Sequence, residues 1–171
     1  MIIRNIFWLI LLTLIPCTVS SQEKSKKELK EERKLEQQKK TEELVNSKTF
    51  VFTGTMANPQ GGRTVNLTTT SNFVKFSPDE IESDMPFYGR AYSGAGYGGT
   101  TGMAFKGKPD DFKVEKTKKG YYIQASVRSD NDSYKISLTV GTEGNTTLTI
   151  SSVNRSSMSY SGNISGAEKT E

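Results

Sequence analysis

The chain has 171 residues, 33% of them hydrophobic and 25% charged, with a formal net charge of +4 at pH 7. That length suits one modest domain with appendages, and a charge so near neutral gives no argument for nucleic acid as a partner. Histidine is absent and Cys17 is the single cysteine, so Ser-His or Cys-His catalysis, histidine acid–base work and a His- or Cys-ligated zinc site are excluded.

The N-terminus reads as an export signal. Arg4 supplies a positive start, Ile6 to Ile15 an apolar run, and Val19-Ser-Ser21 the small residues before a cut. Residues 1–21 are therefore expected to be a cleaved signal peptide, too short and wrongly flanked for a membrane span. Loss of Arg4 lowers the charge by one, to about +3. The expected location is periplasmic or extracellular. Lipid anchoring through Cys17 is the alternative, although Pro16 directly before it fits that signal poorly.

Residues 22–48 are a charged lead-in. They lack glycine and proline and are rich in helix formers, with Glu36–Lys40 as an i,i+4 pair in the favourable order. Leu29 and Leu35 share no stripe, so the expectation is a solvated helix docked only near Leu44 and Val45. No sustained heptad points to a coiled coil.

From Thr49 the period changes to two. Phe50, Phe52, Gly54 and Met56 alternate with Val51, Thr53 and Thr55, and a turn follows at Asn58 to Gly62. Val65, Leu67 and Thr69 form a second run, and Phe73 to Phe76 a third. A helical turn is expected at Pro78 to Ile81, then short strands near Phe87–Tyr92, Gly102–Lys106 and Phe112–Lys116. Tyr121 to Arg128, Tyr134 to Val140, Leu148 to Ile150 and Met158 to Tyr160 complete the set. Residues 49–165 thus read as a mainly β domain, an antiparallel barrel of eight or nine strands, with a β-sandwich as the alternative. Residues 166–171 read as a disordered tail.

Most candidate chemistry has a plainer reading. Gly94 to Gly99 matches G-x-G-x-x-G, but no helix follows to meet a pyrophosphate, so it reads as a loop. Asp130-Asn-Asp132-Ser133 opens like a calcium loop and lacks the remainder, so it reads as an Asx turn. The acids Asp79, Glu80, Glu82 and Asp84 form a run that reads as solvated, and Asp110-Asp111 reads the same way. Asn66, Asn131, Asn145, Asn154 and Asn163 begin sequons. The candidate binding residues are Phe87, Tyr88, Arg90, Tyr92 and Tyr97, because tyrosine and arginine anchor interfaces. Strand alternation would put Tyr88, Arg90 and Tyr92 on one face. No catalytic residue, metal site or cofactor is expected.

Pro86-Phe-Tyr-Gly-Arg-Ala-Tyr92, the glycine-rich stretch after it, Gly102-Met-Ala-Phe-Lys-Gly107, the opening Lys48-Thr-Phe-Val-Phe52 and the strands from Tyr121 to Ser161 carry a likeness. The chain resembles an exported Bacteroidetes family known as a domain of unknown function, number 4251. The resemblance implies an envelope location in a Gram-negative bacterium. It transfers no functional residue. The expected function is a non-catalytic binding module for a small amphipathic ligand or an envelope partner, with a carboxylate- or tyrosine-based hydrolase as the alternative.

Overall fold

The structure, a computed structural model, describes residues 25–92, 102–129 and 132–167. The expected signal peptide, Cys17, Tyr97, most of the glycine-rich stretch and Asp130-Asn131 lie outside them. The chain divides into two units, Met1–Glu31 and Glu32–Glu171.

In the first unit the described residues open helix α1, Lys26–Ser47. A capping box starts it. The Lys27 N–H donates to Ser25 Oγ at 3.2 Å and the Ser25 N–H to Glu28 Oε2 at 2.9 Å.

In the second unit α1 runs on to Ser47, and Lys48, at φ 56°, turns the chain out of the helix. Thr41 and Val45 are buried, and Leu44 packs against the core. Glu42 pairs with Lys116 at 2.9 Å and Lys34 with Glu143 at 3.1 Å. Docking therefore begins earlier than Leu44, with Thr41 as an additional anchor. Residues 25–37 are exposed throughout. The pairs they make are surface pairs, worth about 0–1 kcal/mol each. Deleting residues 22–38 is expected to lower Tm by no more than about 4 °C, as read in a thermal melt.

The strands are β1 (Phe50–Pro59), β2 (Val65–Asn66), β3 (Phe73–Phe76), β4 (Ile81–Pro86), β5 (Gly102–Gly107), β6 (Pro109–Thr117), β7 (Gly120–Ser129), β8 (Asp132–Gly141), β9 (Asn145–Ser152) and β10 (Met158–Gly166). Nine form one antiparallel sheet in the order β5-β4-β3-β1-β10-β9-β8-β7-β6, and the two-residue β2 sits beside β1. The sheet's two ends are consecutive in the chain, separated by Lys108 alone. Residues 102–107 pair with β4 and residues 109–117 with β7. One long bent stretch thus serves both ends and curls the sheet into a nearly closed barrel. Side chains finish the closure. Phe105 stacks on Tyr134 with centroids 4.1 Å apart, and Phe112 meets Phe76 at 6.2 Å.

Three local expectations are corrected. Phe87–Tyr92 is not a strand. The strand lies one segment earlier, at Ile81–Pro86, where Ile81, Ser83 and Met85 point in and Asp84 points out. The acid run concealed this, because Ser83 takes an inward position and satisfies its hydroxyl on the Met103 carbonyl at 2.7 Å. The expected helical turn at Pro78 is a tight turn closed by Ser77, whose N–H donates to the Glu80 carbonyl at 2.9 Å. Met56, expected inside, is 40% exposed, and Ala57 is buried instead. A bulge between Gly54 and Met56 shifts the alternation by one residue.

Among the described residues, the middle of the interior is packed. Phe50, Phe52, Leu67, Val74, Ile81, Met85, Met103, Ile123, Leu138, Leu148, Ile150 and Tyr160 have no accessible surface. A void large enough for water beside any of them would leave part of that surface accessible. Each such aliphatic or aromatic side chain contributes about 1.5–3 kcal/mol by leaving water.

Candidate functional site

The predicted aromatic and arginine residues lie at the barrel end opposite α1. Strand register places the β7–β8 and β9–β10 turns and the end of β4 together there, while Gly120, Gly141 and Asn145 mark the α1 end. Residues 87–92 leave β4 after Pro86 and cross to the β9–β10 turn. The Tyr92 N–H donates to the Asn154 carbonyl at 2.8 Å, and the Ser156 N–H to the Arg90 carbonyl at 2.9 Å. The Arg90 N–H donates to Ser156 Oγ at 2.9 Å, and Ala91 and Arg155 form an isolated bridge. The segment is a clasp fixed by its backbone, leaving its side chains to project.

Tyr92 is 70% exposed, Tyr88 44% and, on the facing turn, Val153 74%. Arg90 is exposed as well. Phe87 turns inward and packs against the core. The structure thus gathers Tyr88, Arg90 and Tyr92 on one rim, by a clasp rather than by strand alternation, and assigns Phe87 to its anchoring. Tyr97 lies outside the described residues.

Sequence reasoning missed Arg155, which read as a turn residue. Its guanidinium lies 5.5 Å from the Phe87 ring centre and donates to the Gly102 carbonyl. It links the β9–β10 turn to the starts of the clasp and of β5. Asp132, read as a calcium-loop start, supports the same turn. Its carboxylate accepts from the Ser152 hydroxyl and, at 3.2 Å, from the Val153 N–H. No spacing signal marked either role, because each partner is distant in sequence.

Beneath the clasp, Tyr160 has no accessible surface, and its hydroxyl donates to the Pro86 carbonyl at 2.8 Å. Burial, with a smaller contribution from Tyr88, pushes its pKa far above the ordinary tyrosine value. Folding thus favours the neutral phenol. Its contribution to stability is complete below about pH 10 and is lost as the pH rises beyond that. Denaturant titrations from about pH 8 to 11 should show stability falling at the alkaline end. Tyr160→Phe should flatten that fall and cost about 1 kcal/mol at neutral pH through the lost hydrogen bond.

Two acids of the run, Glu80 and Glu82, share a lysine. Lys106 bridges Glu80 at 3.0 Å and Glu82 at 3.9 Å, which sets a cation between them. Asp110 pairs with Arg128 at 3.0 Å and Asp111 with Lys113 at 2.9 Å. Among the described residues, no helix is long and apolar enough to cross a membrane.

These features define a class: a small antiparallel barrel with a helix docked at one end and a clasped aromatic rim at the other. Residues 32–164 match the family model described as a domain of unknown function, DUF4251, and the chain belongs to that family. A crystal structure of a DUF4251 family protein from Bacteroides eggerthii DSM 20697 is similar, with a TM-score of 0.58 and 21% identity, covering 76% of this chain and 87% of that one. That likeness shows the fold. No curated protein matches the chain.

Proposed function

We propose that this protein is an exported, non-catalytic binding module of the cell envelope that engages a partner protein through its clasped rim. One observation carries the reading: Tyr88 and Tyr92 are exposed on a segment whose backbone is hydrogen-bonded to the β9–β10 turn, where Val153 is exposed as well. Tyrosine and arginine supply contact area and a polar tip at small entropic cost, as interface anchors do. The packed middle of the interior supports a surface mode over an enclosed ligand. Export rests on the sequence pattern of residues 1–21, and N-terminal sequencing of the mature protein should begin at Gln22.

The test uses a photo-crosslinking residue at position 92 in the native envelope, with Thr139 on the outer face of β8 as the control position. Position 92 should give a discrete adduct that Arg90→Ala diminishes, and Thr139 should give none. Unfolding of Arg90→Ala should differ from wild type by no more than about 0.5 kcal/mol, since the side chain is exposed. Identical adduct patterns from the two positions would refute the rim as the contact surface.

A further inference from the structure

On the outside of the barrel, toward its α1 end, β1, β3, β4 and β10 border a groove of about 630 Å3. That size lies within the range of small-molecule sites. Val51 and Phe73 supply apolar surface, and Thr49, Ser77 and Ser165 lie around it. Register sets Lys106, Glu82, Lys75, Val51 and Ser165 in one row across five strands. Charge alternates along the row's first half and gives way to apolar and hydroxyl groups in the second.

The ion pairs along that row are unequal. Lys106 is in hydrogen-bond contact at 3.0 Å with Glu80, outside the row, and stands 3.9 Å from Glu82 within it. Lys75 and Glu82 stand 3.8 Å apart, beyond hydrogen-bond range. The Lys75 ammonium lies 4.7 Å from the Phe73 ring centre, next to the apolar part of the groove. A cation and an anion this close, with hydrogen-bonding capacity toward solvent, complement a ligand that carries both charges equally close together. An α-amino acid does so, because its ammonium and carboxylate are borne on one carbon. Its carboxylate would meet Lys75 and its ammonium Glu82. Lys75 and Glu82, the latter also 3.9 Å from Lys106, would each gain a charge-assisted hydrogen bond. An apolar side chain would then rest on Phe73 and Val51.

The geometry points to this groove as a binding site for a free apolar α-amino acid, separate from the rim and independent of its role. A ligand with one charge would satisfy one member of the pair and desolvate the other, so both charges are required. The termini of an extended peptide lie too far apart to serve.

The experiment is an isothermal and NMR-detected titration of the mature protein with L-phenylalanine, phenethylamine, 3-phenylpropionate and phenylalanyl-phenylalanine. Phenylalanine should bind with a Kd of about 1 mM or tighter and shift the Val51 and Phe73 resonances. The two single-charge analogues and the dipeptide should bind at least tenfold more weakly. Lys75→Met and Glu82→Gln should each abolish binding while circular dichroism stays unchanged. Saturation by phenethylamine or phenylpropionate at the same concentration would overturn the assignment. So would dipeptide binding as tight as phenylalanine, retained affinity in either variant, or the absence of any saturable shift.

Discussion

Replacing Asn72 with alanine is expected to cost about 3 kcal/mol, a large fraction of a small domain's stability. Asn72 is 5% exposed and stands just before β3. Its amide acts as an additional peptide group beside β1. Oδ1 accepts from the Gly54 N–H at 2.8 Å, and Nδ2 donates to the Gly54 carbonyl at 3.1 Å. Nδ2 also donates to the Thr70 carbonyl at 2.9 Å and the Leu67 carbonyl at 3.3 Å. Truncation leaves the Gly54 N–H and carbonyl buried without these partners, and each such group costs about 1–3 kcal/mol. Asn72→Asp separates hydrogen bonding from shape. At neutral pH a carboxylate still accepts from Gly54, but it faces three carbonyl oxygens with no proton to donate. Its carboxyl pKa is therefore expected to rise on folding, so the variant should be more stable at about pH 4 than at pH 7. Urea titrations at the two pH values read both effects. An Asn72→Ala variant within 0.5 kcal/mol of wild type, by contrast with the expected loss, would show that water replaces the amide at about this small cost.

Gly162→Ala is expected to destabilise by about 3 kcal/mol or more, or to prevent folding. Gly162 of β10 pairs with Gly54 of β1 at the bulge. A Cβ there would overlap the Thr53 carbonyl oxygen and lie 2.9 Å from both Gly54 Cα and Phe52 Cζ. Most of that contact is with backbone, which cannot rotate away. The same bulge depends on Gly54, whose own added Cβ would come 2.7 Å from Asn72 Oδ1. Gly166→Ala is the control within the same strand. Its Cβ would meet Leu44 Cδ2 at 3.7 Å, an ordinary contact, so stability should change little. Denaturant midpoints of the two variants provide the comparison. Equal midpoints would mean that β1 and β10 can separate at the bulge without penalty.

The two predictions share a cause. The bulge in β1 is held by Gly162, 108 residues away by number from Gly54, and by Asn72, 18 residues away. Neither relation has a local signature. Phe50, Phe52, Gly54 and Met56 read as one face, and the reading holds as far as the bulge; beyond it Ala57 takes the buried position and Met56 the exposed one.

The strands from Tyr121 onward were legible because local chemistry determines them. Ile123, Ala125 and Val127, then Ile136, Leu138 and Val140, alternate with polar residues, and period-two burial makes the same demand wherever such a strand lies in a sheet. The helical lead-in was legible because charge, helix propensity and the absence of glycine and proline act over neighbouring residues. The family likeness was legible for a related reason: it rests on the Pro86 to Tyr92 segment and the strand layout. What alternation could not reveal was β4. Its inward Ser83 gains a partner only when β5 lies alongside, so in isolation the segment has the composition of a loop.

The rim shows the same division. Residue type alone marked Tyr88, Arg90 and Tyr92 as candidate contact residues, but the place of their segment at the barrel end came from hydrogen bonds to Asn154 and Ser156 across the fold. Arg155 had no visible purpose until the chain brought Gly102 and Phe87 to it. By itself, then, the sequence determined the lead-in helix, the strands from Tyr121 onward, the β class and the absence of histidine chemistry. Those properties follow from neighbouring residues or from composition. The barrel's closure, its bulge, its clasp and its groove were decided by tertiary structure alone. Each requires backbone groups far apart in the chain to meet, and no local pattern records such a meeting.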